Sequence, residues 1–404
     1  MSEAAHHITG GQAGKPAPGR RPVILQVLPS LVTGGAERGA VDVAIALSQA
    51  GAVPLVASAG GPMVRELERH GVRHVTLPLK AKNPVAMLRN ARKLEALIRD
   101  EGVDIVHARS RAPAWSAWLA ARRASVPFMT TFHAPYNFKG ELKRRYNSVM
   151  ALGERVIAIS EFIRDHILAN YAVDPGRIRL IHRGIDLGHF SPERVGRERL
   201  VTLSRSWRIP DDRHVIMLPG RLTRWKGQAV LIEALALLER RDFYCLLVGA
   251  DQGRTGYRKE LEELAAARGL RDLVHLADHC DDMAAAYLLS DVVVSASSDP
   301  EAFGRVIVEA QAMGRPVIVT NHGAVRETVL AGETGWVVPP GDPQALAEAL
   351  SLALSMTPEE RAAVAERAIA FVGERFSRER MCAETLGVYA ELLDERRAAA
   401  PRFA

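Results

Sequence analysis

Short apolar runs recur along this chain, each followed by a stretch with helical spacing. In the first half the runs are 23–28, 53–57, 72–77, 103–107, 127–132, 156–160 and 178–182. They are continuous rather than alternating, which predicts strands buried on both faces. Between them, 36–49, 84–100, 112–123, 140–152 and 161–171 predict amphipathic helices. Regular strand–helix alternation implies a parallel, doubly wound sheet.

A polar, proline-containing loop follows at 184–194, and the pattern then restarts. Strands are predicted at 214–219, 243–248, 273–276, 292–296, 316–320 and 335–338. Helices are predicted at 227–239, 258–268, 281–289, 303–313, 325–331, 343–355 and 358–371. A last helix, 378–397, has no strand after it. The reading is two similar α/β domains facing each other across a cleft, at 21–190 and 200–377. A leader covers 1–20, and a C-terminal segment, 378–404, packs back across the domains. Two domains also suit 404 residues.

Composition narrows the picture. Residues 1–20 are rich in Gly, Ala and Pro and lack an apolar core, so they read as a disordered leader and not a signal peptide. No stretch is apolar for long enough to span a membrane. Cys245, Cys280 and Cys382 form no closely spaced pair, which fits a reducing compartment. The expected location is cytoplasmic, with a peripheral place on the inner face of the cytoplasmic membrane as a second expectation. The net charge is +6, but residues 73–145 hold 15 Lys/Arg against 5 Asp/Glu. A basic surface suits an anionic partner; the plain alternative is a solvated face. Aromatic residues are only 5% of the chain, so no stacking platform for single-stranded nucleic acid is evident.

The candidate chemistry lies at the carboxyl ends of predicted strands, where open α/β sheets hold ligands. Glu301 follows a strand and a polar turn, and Glu309 lies within the next helix. Such carboxylates accept hydrogen bonds from several hydroxyls, as sugars and riboses require. Arg221 and Lys226 lie in a glycine-bounded loop after the first strand of the second half. Cations there suit a diphosphate, Arg as a planar fork and Lys as a point charge; the alternative is an exposed basic loop. Gly34-Gly35 follows the first strand and opens a helix, a place where backbone can approach an anion. It matches neither the dinucleotide fingerprint nor a P-loop. His133 ends a strand, where it would hydrogen-bond a sugar or carry a proton; a lone histidine is more often structural. Gly323 precedes a helix start whose amides, at Ala324 and Val325, would hold phosphate or hydroxyls. The alternative there is a glycine turn beside a solvent-facing Glu327. The stretch 81–94, with its Lys and Arg residues and with Met87, Leu88 and Leu94, reads as an interfacial helix or an ordinary surface helix.

Taken together, and in this order, the motifs resemble glycosyltransferase family 4: retaining nucleotide-sugar transferases with two Rossmann-like domains, the GT-B fold. The resemblance runs from Val23 to about Arg397. It implies that Arg221 and Lys226 bind the donor diphosphate and stabilise the leaving group. It implies that Glu309 binds the ribose and Glu301 the transferred sugar, with Gly304 beside them. Gly34 and Gly35 would approach the phosphates, His133 would contact the sugar, and Gly323, Ala324 and Val325 would add backbone donors. The implied catalytic set is Glu301, Arg221, Lys226 and His133. No metal and no cofactor is implied, since fixed cations stabilise the leaving diphosphate. The family shows no agreed nucleophile, and front-face attack is its usual proposal. Residues 110–116 and 139–144 look like those of bacterial members that build lipopolysaccharide core or other surface glycans. The implied partners are a nucleotide-sugar donor, a glycan or glycolipid acceptor and an anionic inner-leaflet surface met by the basic N-terminal domain, with no nucleic acid. A GT-B epimerase, a phosphorylase and a non-catalytic sugar binder stay open as alternatives.

Overall fold

A computed structural model describes residues 20–32, 34–251, 253 and 255–399. The expected leader, residues 1–19, lies outside the described residues. Arg20, at its end, is held by Asp104 at 2.7 Å and by the carbonyl of Gly102 at 2.7 Å.

All thirteen expected strands form, with ends shifted by at most two residues. They are β1 Val23–Val27, β2 Val53–Ser58, β3 Arg73–Thr76, β4 Ile105–Ala108, β5 Phe128–Phe132, β6 Arg155–Ala158 and β7 Ile178–Leu180 in the first half. The second half holds β8 His214–Pro219, β9 Phe243–Val248, β10 Val274–Ala277, β11 Val292–Ser295, β12 Val317–Thr320 and β13 Gly335–Val338. The first sheet has the order β3-β2-β1-β4-β5-β6-β7 and the second β10-β9-β8-β11-β12-β13. The registered pairs, among them β1 with β2 and β4 and β8 with β9 and β11, are parallel. Both sheets reverse direction beside their first strand, between β1 and β4 and between β8 and β11. Ligands of doubly wound sheets sit at that reversal. These are two Rossmann-like domains, the GT-B fold.

Contacts divide the chain into two compact units: one takes the described residues up to 157, 167–179 and those from 383 on; the other takes 158–166 and 180–382. In the second, strands such as β8 and β9 are buried along almost their whole length. Leu218, Leu231, Leu235, Phe243, Leu247 and Val294 fill one face of that sheet with next to no exposure. In the first, the C-terminal part of helix Arg378–Ala398 packs by specific polar contacts. His107 on β4 is hydrogen-bonded to Tyr389 and to Thr131, both at 2.7 Å. Burial pushes the His107 pKa well below its usual value, so the ring is neutral. Arg179 and Arg155 hold the Glu391 carboxyl down at about 2.

Four helical details differ from expectation. A short helix, Val64–Arg69, forms where none was expected. Helix Arg197–Ser206 is new, and none of its residues is buried. With Leu200 and Leu203 only half-buried, it leaves a weak apolar period to read. The helix expected over 140–152 divides into Glu141–Asn147 and a 3₁₀ turn, Ser148–Ala151. The helix expected over 325–331 stops at Thr328, and a turn closed by Thr334 on Leu330 replaces its end.

Candidate active site in the second domain

The loop after β8 is shaped by where its backbone must go. Gly227 has φ 74°, a left-handed conformation, and a Cβ there would overlap the carbonyl oxygen of Ala296. This close approach brings the β8 loop onto the β11 loop. The amide of Ser298 donates to the carbonyl of Trp225 at 2.8 Å and stitches the two together. Lys226 is thereby delivered to Glu301: its ammonium donates to Oε1, and the Ser297 hydroxyl donates to the same oxygen at 2.8 Å. The two charged side chains are only 13% and 16% exposed, so each needs the other. The ammonium also lies 4.5 Å from the Trp225 ring centroid. Arg221, in the same loop, is exposed. Its carbonyl accepts from the buried Gln228 side chain at 3.0 Å, and its guanidinium has no ion-pair partner among the described residues. A paired ammonium and a spare guanidinium at one strand end form a cationic mouth beside a carboxylate.

The loop after β12 completes the arrangement from the other side. Gly323 has φ 73° and forms a parallel bridge with Glu301. The amide of Ala324 donates to the Glu301 carbonyl at 2.9 Å. This corrects one expectation: the Ala324 amide is spent on holding Glu301 and is not available to a ligand. The bridge uses it because the β12 loop runs alongside residue 301. Val325 is buried and opens a helix of four residues, Val325–Thr328. Thr320 donates to the carbonyl of Ser297 at 2.7 Å, fixing the serine that meets Glu301.

Glu309 lies one turn into helix Arg305–Ala312, which Gly304 begins with φ 81°. It is buried, accepting from Arg305 at 2.8 Å and from the Tyr287 hydroxyl at 2.9 Å. Burial first, and the Glu309 charge second, push the Tyr287 phenol well above its usual pKa, so it stays a donor. A carboxylate has about four acceptor positions, and these two bonds leave room for more. If Glu309 binds the donor as the resemblance implies, Glu309→Gln is expected to raise the donor KM by about 10- to 100-fold, the cost of one hydrogen bond to a charged group. Steady-state kinetics beside a thermal melt checks this: an unchanged KM in a folded variant removes Glu309 from donor binding.

The remaining expected residues lie in the first unit. Gly34 precedes helix Gly35–Gln49, and the Glu37 carboxylate lies against it. His133 follows β5, half-buried, with its backbone hydrogen-bonded to the Tyr136 hydroxyl. The structure therefore brings together Arg221, Lys226, Glu301, Gly304, Glu309, Gly323, Ala324 and Val325 within the second unit. Gly34, Gly35 and His133 belong to the first.

One functional feature escaped the sequence. Glu327 is not solvent-facing. It accepts from the amides of Glu161 and Phe162 at 2.6 and 3.0 Å and is 3.0 Å from His182. Burial raises its pKa, but His182 and the two amides outweigh this and hold it below the usual carboxylate range. Ser160 donates to the carbonyl of Ala302 at 2.7 Å. The corner at 160–162 thus braces both the Glu301 loop and the turn after Gly323. Its partners are more than 140 residues away in sequence, so no local pattern announces it. Among the described residues, no group of three or more His, Cys, Asp or Glu could hold a metal.

Two Rossmann-like domains carry a paired cation and carboxylate at the reversal point of the second sheet, where doubly wound folds hold ligands. Comparison with known proteins agrees. Residues 202–371 match the model of glycosyl transferases group 1, and residues 33–189 that of Glycosyltransferase Family 4. A D-inositol 3-phosphate glycosyltransferase of Xylanimonas cellulosilytica is 32% identical over 315 residues, 74% of each chain. A glycosyltransferase structure from Rickettsia africae has TM-score 0.86 at 39% identity, over 92% of this chain and 99% of that one. Anabaena HepE in complex with UDP-glucose has TM-score 0.79 at 25% identity, over 91% and 99%. The chain belongs to glycosyltransferase family 4, with the GT-B fold.

Proposed function

We propose that the protein is a retaining glycosyltransferase that moves a sugar from a nucleotide-diphosphate-sugar to an anionic glycan or glycolipid. The observation that carries this reading is the junction of Lys226, Ser297 and Glu301 at the reversal point of the second sheet. Arg221 and Lys226 receive the diphosphate. Glu309 holds ribose hydroxyls and Glu301 the hydroxyls of the sugar. As the bond from the anomeric carbon to the β-phosphate oxygen breaks, its electron pair stays on that oxygen. Fixed cations stabilise the growing charge. The acceptor hydroxyl bonds to the same face of the anomeric carbon, and its proton passes to the departing phosphate oxygen.

The HepE complex supports a uridine diphosphate sugar as donor. The excess of cations in residues 73–145 supports an acceptor carrying phosphate, in surface-glycan or lipopolysaccharide-core synthesis, and a peripheral place on the inner face of the cytoplasmic membrane. A second reading for the acceptor is an inositol phosphate, favoured by the printed name of the Xylanimonas relative. Thermal-shift titration with uridine, guanosine and adenosine diphosphates and their sugars tests the donor. A uridine diphosphate sugar is expected to raise Tm, and proton NMR of the product is expected to show the donor's anomeric configuration kept. Inversion, or no shift with any nucleotide, overturns the reading.

A further inference from the structure

An apolar opening on the first unit lies away from Gly34, Gly35 and His133 in sequence and has no role in the chemistry above. It is a groove of about 500 Å³ between helices Pro84–Asp100, Arg111–Ala124 and Glu141–Asn147. Its walls are Met87, Leu88, Trp115, Trp118, Leu119 and Leu142. Leu142 is 86% exposed and Leu88 50%, and Val85, in the first turn of the same helix as Leu88, is 60% exposed. These are the largest exposures of any large hydrophobic side chain in this unit among the described residues. An apolar patch of this kind, left open to water, marks a binding surface.

Two polar groups along the walls are already satisfied, and the Tyr146 hydroxyl is buried without a hydrogen-bond partner among the described residues. The Trp115 indole donates to the carbonyl of Tyr146 at 2.9 Å, and Ser116 donates to that of Met87 at 2.9 Å. The two tryptophans meet edge to face at 5.6 Å. A sugar would find almost no hydrogen-bond partner on such a floor, whereas an alkyl chain needs none.

The helices around the groove are cationic in a particular way. Lys82 and Arg145 line it, and Arg89, Arg92, Lys93 and Lys143 are exposed on the same helices. None of these six is in an ion pair among the described residues. Two of the three acids on these helices are taken, Glu95 by Arg99 and Arg123 and Glu141 by Arg144. The free charge is therefore positive, at the edge of an apolar slot. That combination is complementary to one kind of molecule, an anion with a hydrocarbon tail.

We propose that this groove takes an acyl chain of an anionic membrane lipid, whose headgroup rests on the unpaired Lys and Arg residues. The proposal rests on the membrane location proposed above and names the contact that makes it. It is independent of the donor site, which lies in the other unit.

The test uses the full-length protein and vesicles of phosphatidylglycerol and phosphatidylcholine in equal parts, with phosphatidylcholine alone as the comparison. Binding to the mixed vesicles and little to the neutral ones is expected. Phosphatidylglycerol with brominated acyl chains is expected to quench tryptophan fluorescence, and the Trp115→Phe/Trp118→Phe variant is expected to lose that quenching while still binding. Leu88→Asp with Leu142→Asp, both at exposed positions, is expected to weaken binding at least about tenfold with the nucleotide thermal shift unchanged. No binding of the wild type to mixed vesicles overturns the membrane location and the groove together. Binding without quenching leaves the location standing and overturns the groove. A dimer in solution that Leu142→Asp converts to monomer assigns the groove to a second copy of the chain and also overturns the proposal. Loss of the nucleotide shift in the wild type would count against the donor site alone.

Discussion

Glu301→Gln is expected to lower glycosyl transfer by about 100- to 1000-fold, the range for removing one preorganised polar group from a reacting centre. The carboxylate has three tasks in one place. It neutralises Lys226, accepts from Ser297 and, in the proposed complex, accepts from the sugar. Glutamine keeps the shape but loses the charge. Either its amide nitrogen meets the Lys226 ammonium, donor against donor, or its single oxygen serves all three partners alone. Lys226 is then a nearly enclosed cation without a counter-charge, a costly state in a low-dielectric site. It is also free to bind the diphosphate more tightly before reaction. The expected signature is a large fall in kcat with a donor KM that is unchanged or lower. Turnover at saturating donor, with a thermal melt to show that the variant is folded, decides the matter. Transfer within about tenfold of wild type would take Glu301 out of the reacting centre.

Gly323→Ala is expected to damage fold and transfer together, and its comparison with Gly332→Ala separates the causes. Both glycines have left-handed backbones, with φ 73° and 79°. A Cβ at Gly332 meets nothing within 4 Å, so alanine there bears only the conformational cost, about 1 kcal/mol. A Cβ at Gly323 would overlap the backbone of Glu301. The bridge between residues 301 and 323 must open, the amide of Ala324 loses its partner, and the Glu301 carboxylate moves. The expected loss of stability is about 3 kcal/mol. A displacement of about 1 Å at Glu301 is enough to reduce transfer about 100-fold. Chemical denaturation and turnover of the two variants give the test. Equal losses in both would mean that the close approach at Gly323 carries no cost of its own.

The fold was legible because its signals are local. Most of the thirteen strands are buried, largely apolar runs such as 243–248, which need only their own residues to be seen, while β3 and β7 are only partly buried. Helix starts at Pro84, Pro343 and Pro358 declare themselves through Asn83, Asp342 and Thr357, which cap them. Helix Arg197–Ser206 was missed for the complementary reason: its few apolar residues, Leu200, Val201 and Leu203, are not buried, and the period they leave is weak. Ends of helices were less secure, as at 325–331, where a side chain four residues on takes over the backbone.

The site was legible only as a set of residue types at strand ends. The sequence by itself determined that Lys226, Arg221, Glu301 and Glu309 lie at the carboxyl ends of strands or just beyond, and that glycines let their loops turn. Only the tertiary structure decided that Lys226 and Ser297 share one oxygen of Glu301, that the Ala324 amide is consumed by the Glu301 carbonyl, and that Glu327 braces residues 161–162 rather than facing water. Strand order is the physical reason. β8, β11 and β12 are neighbours in the sheet, although about 70 and 20 residues separate them along the chain. Partners joined by that crossing leave no periodicity in the residues between them, so they come into view only when the sheet is assembled.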